Sequence, residues 1–282
     1  MQTLQLAWQP AAVLAAGLFT ASAGARALPR GGARLAPYLR ESGIIAALYS
    51  LWQLAGAVSL SDGGAESGLR RGRWIAGLQN DLKLPDEASL QHFVLARPVL
   101  AQACNWYYAA MHFTALGLLL LWLFSCHRDR YPRVRSVIVV LTASSLLIQF
   151  VPVAPPRLLP ELGYVDVAQH YGQSVYGLAG LSVDQMSAMP SVHVGWALLV
   201  AWAVITVSTS RWRWWIVAHP AITVFVVAAT GNHFWLDGVA AAGLLVLSVV
   251  LVSAARPLRR RTPAEPAAVR EPDDEPAARA AR

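Results

Sequence analysis

The sequence predicts an all-α membrane protein: a polytopic bundle of six or seven transmembrane helices with a short interfacial helical segment. Three observations carry this. Charged residues make up 14% of the 282 residues and hydrophobic residues 56%, whereas a soluble domain carries roughly 25% charged residues. Long stretches lack Asp, Glu, Lys and Arg altogether, and a spanning helix needs about 20 mostly apolar residues. The arginines fall between those stretches in an alternating pattern. The same composition excludes a disordered chain, a coiled coil and a nucleic-acid-binding domain, so no nucleic-acid partner is expected.

The uncharged stretches are 1–25, 42–61, 98–127, 136–156, 185–210, 214–236 and 238–255, which gives seven candidate spans. The first is the least secure. Residues 8–24 resemble the apolar core of a signal peptide, with small residues at Ala21-Ser22-Ala23. No basic residue precedes them, so a first helix is preferred to a cleaved leader. The formal charge is +7, and Lys83 is the only lysine. Arg26, Arg30, Arg34 and Arg40 separate spans one and two. Arg128, Arg130, Arg133 and Arg135 separate spans three and four. Arg211 and Arg213 separate spans five and six, and Arg256, Arg259, Arg260 and Arg261 follow span seven. By the positive-inside rule these segments are cytoplasmic. The N-terminus is then outside, the C-terminus cytoplasmic, and segments 62–97 and 157–184 are extracytoplasmic. A multi-pass protein of the plasma (inner) membrane is expected.

Segment 62–97 mixes both charges and is too polar to cross a bilayer. Within it, 74–78 and 90–95 read as short helices lying at the interface. Three regions follow: 1–97, with the N-terminal spans and the interfacial segment; 98–255, a membrane core; and 256–282, a cytoplasmic tail. The tail is rich in Pro, Ala, Arg and acids, without apolar periodicity, and reads as disordered. Cys104 and Cys126 lie 22 residues apart at opposite ends of one apolar run, which argues against a disulfide and against a cysteine-ligated metal.

Ionisable groups inside a membrane are costly and point to function. Three segments stand out: 151–157 (VPVAPPR) at the end of span four, 189–193 (MPSVH) at the start of span five, and 231–237 (GNHFWLD) between spans six and seven. The arginine-derived topology places all three on the outer face. His233 and Asp237 are four apart and share a face on a helix. Asp237 can fix the tautomer of His233 and leave its other nitrogen nucleophilic. Pro190 suits the first turn of a helix, whose free N–H groups attract an anion. His193, in that turn, can supply a proton, and Arg157 can clamp two phosphate oxygens. Together they suit phosphoryl transfer, which depends mainly on positioning and charge neutralisation. Taken singly, each has a plainer reading: a structural histidine, a snorkelling arginine, a proline turn. In span three, Asn105, Tyr108 and His112 form one stripe at i, i+3 and i+7. They are candidate substrate-binding residues, with an interfacial tyrosine and an interhelical hydrogen bond as the alternative. His170, Tyr171 and Asn232 are weaker candidates, and His219 reads as structural.

These residues resemble the phosphatidic acid phosphatase type 2 superfamily. Its second motif, Pro-Ser-Gly-His, appears here as Pro190-Ser191-Val192-His193. Its third ends in His-x-x-x-Asp, here His233 to Asp237. The form of the first, Ala154-Pro155-Pro156-Arg157, and the run Met189 to Ala197 look like the inositolphosphotransferase branch, which includes inositol phosphorylceramide synthase. The resemblance covers roughly 100–255. It implies that His233 is a nucleophile forming a phosphohistidine, Asp237 orients it, and His193 protonates the leaving oxygen. It also implies that Arg157 and Ser191 hold the phosphate, without metal or other cofactor. Two family cations are absent: the first-motif lysine position holds Phe150, and the third-motif arginine position holds Val227.

The expected activity is that of a lipid phosphatase or phosphotransferase. Its substrate is a lipid phosphate or phospholipid, and its acceptor is water, inositol or a lipid alcohol. Two readings from other classes stand beside it. A transporter or metal-binding protein could use His193, His233 and Asp237 as ligands, although the Arg157 charge opposes a cation there. A catalytically silent scaffold would be indifferent to loss of His233.

Overall fold

The computed structural model describes residues 8–28, 30–59, 64–173 and 186–259. The expected tail from 260 onward and the 174–185 part of the second outer segment lie outside the described residues. The chain forms α1 (Trp8–Ala27), α2 (Arg30–Ser59), α3 (Gly64–Asp81), α4 (Glu87–Leu95), α5 (Pro98–Cys126), α6 (Tyr131–Ile148), α7 (Val167–His170), α8 (Val192–Val207), α9 (Ala218–Ala229) and α10 (Trp235–Arg259). Short 3-10 turns lie at Pro156–Leu158 and Pro160–Leu162, and a longer 3-10 segment, Arg211–Val217, leads into α9. Among the described residues there is no β-strand, only an isolated parallel bridge between Val153 and Ser187.

Among the described residues, four helical segments are long and apolar enough to cross a membrane: α5, α6, Arg211–Ala229 and Trp235–Ala255. The apolar α8 has 16 residues, or about 24 Å at the helical rise. α5 begins with Pro98 at its first turn and ends at Cys126, close to its uncharged run.

Three other runs overshoot their helices at one end of the bundle. α6 stops at Ile148 although its run continues to 156, α8 starts at Val192 although its run starts at 185, and α9 stops at Ala229. Prolines 152, 155, 156 and 190 lack the amide hydrogen that a continuing helix needs. Gly231 turns the chain with φ +68. These residues are uncharged, so hydropathy does not separate them from the spans. α2 deviates the other way, beginning at Arg30 rather than 42. It pairs with α1 as a hairpin: Ser22 Oγ donates to Ala36 O at 2.7 Å and Ser50 Oγ to Trp8 O at 2.8 Å.

The core of the bundle joins α5, α6, α8 and α10 through Leu119, Leu123, Val137, Leu141, Leu199 and Leu245. Phe113, Leu118, Leu121, Val246 and Val250 stay exposed on the outer faces, as lipid contact requires. At one end Glu41 pairs with Arg40 and Arg135, and Arg133 donates to Ser253 Oγ at 3.2 Å. At the other end α3 and α4 cover the loops.

The first expected interfacial helix is thus longer than 74–78 and is integrated into the packing. Ile75 is buried with Val153, Leu159, Tyr164, Ala188 and Phe234. Gly72 permits the approach: a Cβ there would lie 2.8 Å from the carbonyl oxygen of Ala154.

Candidate active site

The three loops meet by backbone hydrogen bonds. Val153 N–H donates to Met186 O at 2.6 Å, and Ala188 N–H donates back to Val153 O at 3.1 Å. Arg157 N–H donates to Gly231 O at 2.8 Å, and Ser191 N–H to Asp237 O at 3.2 Å. The segments around Arg157, Ser191 and His233 are therefore fixed to one another directly. A side chain at Gly231 would collide with Gln91, whose Nε2 would lie 2.5 Å from its Cβ.

His233 lies just before α10, and Asp237 lies in the first turn of that helix. The pair therefore does not share a helical face, as the i, i+4 spacing suggested. The ring Nδ1 of His233 bonds the carbonyl oxygen of Ala188 at 2.7 Å and lies 3.4 Å from Asp237 Oδ2. A carbonyl oxygen only accepts, so Nδ1 carries the hydrogen and Nε2 keeps its lone pair. Nε2 is buried and has no hydrogen-bond partner among the described residues. Asp237 is fully buried; its Oδ2 also accepts from Phe234 N–H at 2.8 Å, while Oδ1 has no partner among the described residues.

Ser191 caps α8, its Oγ accepting from Val194 N–H at 3.3 Å. Pro190 consequently precedes the cap rather than filling the first turn. His193 follows in that turn, its ring centroid 5.6 Å from that of His233. Tyr108 stacks on His193 at 4.2 Å, and His112 meets it edge-on at 4.3 Å. His112 Nδ1 in turn bonds Tyr108 O at 3.0 Å. Two of the three stripe residues on α5 thus fix the His193 ring. The third, Asn105, turns to the neighbouring loop, donating to Gln173 Oε1 at 2.9 Å and to Val167 O at 3.4 Å.

Arg157 is 7% exposed. Its Nη1 donates to Asn232 Oδ1 at 2.8 Å, and its Nε lies 3.4 Å from Asp166 Oδ2. Asn232 also donates to Thr230 Oγ1 at 2.7 Å. It sits beside His233 and orients the arginine. Asp166 and the Ala188 carbonyl carried no sequence signal. Val227, at the family's arginine position, accepts from Asn232 N–H at 2.9 Å and His233 N–H at 3.2 Å through its carbonyl. His219, read as structural, has its Nδ1 2.9 Å from Tyr107 Oη. Tyr171 Oη donates to Leu95 O at 3.1 Å, and His170 lies edge-on to Tyr171.

Glu87 and Gln91 escaped the sequence reading. With Val94 they form the buried face of α4 at i, i+4 and i+7, a pattern that was available. Gln91 holds the 157–173 loop, donating to Val165 O at 2.9 Å and accepting from Val165 N–H at 2.8 Å. Among the described residues, no group of three His, Cys, Asp or Glu side chains could hold a metal ion.

Fold and site define an α-helical, membrane-embedded protein with a buried histidine–aspartate pair facing a second histidine at one end of the bundle. The sequence profile of the PAP2 superfamily matches residues 73–251, and the chain belongs to that superfamily. Its members are phosphatases or phosphotransferases. The match begins inside α3, upstream of the core boundary expected at 98. No curated protein and no solved structure matches the chain.

Proposed function

We propose that the chain is an integral membrane lipid phosphatase or phosphotransferase that works through a phosphohistidine on His233, and that it is inositolphosphotransferase-like. The observation that carries this reading is the state of His233: Nδ1 is occupied by Ala188 O and Asp237, and Nε2 is buried without a partner among the described residues. Nε2 attacks phosphorus, an N–P bond forms, and the bond from phosphorus to the leaving oxygen breaks. Protonated His193 gives that oxygen its hydrogen. His193 then takes the hydroxyl hydrogen of the acceptor, whose oxygen attacks phosphorus as the N–P bond breaks. His233 returns to its starting state. Arg157, Ser191 and the first-turn N–H groups of α8 neutralise the phosphate.

Inositol or a lipid alcohol as acceptor makes the protein a transferase; water makes it a phosphatase. The Ala154 to Arg157 and Met189 to Ala197 runs favour transfer. The purified protein, given lipid phosphates and phosphatidylinositol with and without an alcohol acceptor, is expected to yield a phosphorylated acceptor. Free phosphate alone would identify the hydrolytic alternative. The reaction is expected to persist in EDTA, because the proposed chemistry uses no metal; loss on chelation would favour the metal-binding reading.

The arginine pattern supports six or seven spans in the plasma (inner) membrane, with the site extracytoplasmic and the C-terminus cytoplasmic. Asn105 then belongs to the substrate-side wall through its hold on the 167–173 loop. A Val165→Cys variant tests this orientation, with the exposed Cys126 replaced by serine. An impermeant thiol reagent is expected to label it in intact cells, and labelling only after permeabilisation would invert the topology.

A further inference from the structure

Glu87 lies outside all three motifs and is 3% exposed. Among the described residues, its carboxylate accepts from three groups, and the Asp237 carboxylate repels its charge through space. Gln79 Nε2 approaches Oε1 at 3.0 Å and Oε2 at 2.9 Å. The backbone N–H of Trp235 donates to Oε1 at 2.8 Å, and Tyr164 Oη donates to Oε2 at 3.0 Å. Gln79, itself 5% exposed, accepts from Leu236 N–H through Oε1 at 3.1 Å. The indole of Trp235 donates to Pro85 O at 2.8 Å.

Trp235 and Leu236 open α10, whose first turn carries Asp237, and they follow His233 almost at once. The first N–H groups of a helix have no partner within it, and leaving such donors buried and unpaired is costly. A carboxylate is also favoured at that end of the helix dipole. Here the partners come from the α3–α4 hairpin, 148 residues earlier for Glu87.

We infer that Glu87, with Gln79, is a positioning residue for the nucleophile. The hairpin holds the start of α10 and so keeps His233 Nε2 and the Asp237 carboxylate in the attacking arrangement. This rests on the reading of His233 as nucleophile. Burial pushes the Glu87 carboxyl above the usual carboxylate range, with the Trp235 N–H the largest influence pulling it back. For an acid, a raised folded-state pKa means the folded form binds the proton more tightly. Stability therefore falls as pH climbs from the ordinary glutamate value through the raised one. The charged form is thus the less favourable one in the folded state, and Glu87→Gln is expected to remove this pH dependence of stability. In that variant the amide oxygen still accepts from Trp235 N–H and Gln79 Nε2, and its NH2 group faces a Tyr164 hydroxyl that can turn to accept, while the second Gln79 contact is lost.

Three readouts on the full-length protein test the inference. Glu87→Ala is expected to lower kcat by about 10²-fold, the cost of a misplacement near 1 Å, with KM essentially unchanged because Arg157 is untouched. Glu87→Gln should recover most of that loss. Amide hydrogen exchange at 235–237 should accelerate in Glu87→Ala and not elsewhere in the bundle. Wild-type kcat in Glu87→Ala, equal losses in the Ala and Gln variants, or unchanged exchange at 235–237 would each overturn it. If Glu87→Ala does not fold, Gln79→Ala, which frees Leu236 N–H, carries the same expectations and the same refutations. A wild-type protein inactive on every phosphorylated lipid would refute the proposed function, while the exchange measurement would still judge the clamp.

Discussion

His233→Ala is expected to lower turnover by more than about 10⁴-fold, the scale seen when a covalent nucleophile is removed. The geometry leaves no substitute at that spot. Nδ1 is committed to the Ala188 carbonyl and Asp237, so attack falls to Nε2, which is buried without a partner among the described residues. The change removes the contacts of Nδ1 to Ala188 O and Asp237 Oδ2, and each buried partner left unpaired costs about 1–3 kcal/mol, so the thermal midpoint is expected to fall. The loops stay joined through the backbone bonds of Arg157 to Gly231 and Ser191 to Asp237. Comparing initial rates with the thermal midpoint separates loss of chemistry from loss of structure. Activity equal to wild type would remove the nucleophile assignment.

His193→Ala is expected to slow the reaction by about 10² to 10⁴-fold, the usual worth of general acid–base catalysis. The loss should shrink for substrates whose leaving alcohol is already acidic, since such oxygens depart without a proton. The His193 ring has little freedom to serve another purpose. Tyr108 stacks on it, His112 caps its edge, and the helix cap at Ser191 sets where it leaves the backbone. A loss that stays constant across leaving groups would show that His193 only supports the site.

The membrane character of the chain was legible because it follows from composition, and α5 was legible almost to the residue. The helix ends nearest the site were not. There the chain stops being helical without becoming charged, through prolines and Gly231, and those loops bring the motifs together. His193, His233, Asp237 and Arg157 stood out because their residue types and positions carry chemistry, while Ser191 entered only through the family resemblance. The principal partner of His233 was not, because a backbone carbonyl such as that of Ala188 has no sequence signature. The contribution of α3 and α4 was hidden by their polarity. Segment 62–97 looked like an interfacial appendage, yet Ile75, Gln79, Glu87 and Gln91 are buried against the site loops. Asn232 was underrated because its role, holding Arg157, depends on a contact across 75 residues of sequence.

The central claim is that phosphate passes through His233. Rapid acid-free quenching of wild-type protein turning over a phosphate-labelled lipid, followed by peptide mapping, tests it most directly. The prediction is label on the peptide containing His233, stable in base, lost in acid, and absent from His233→Ala. Label on another residue, or turnover by wild type with no labelled protein at any quench time, would contradict it.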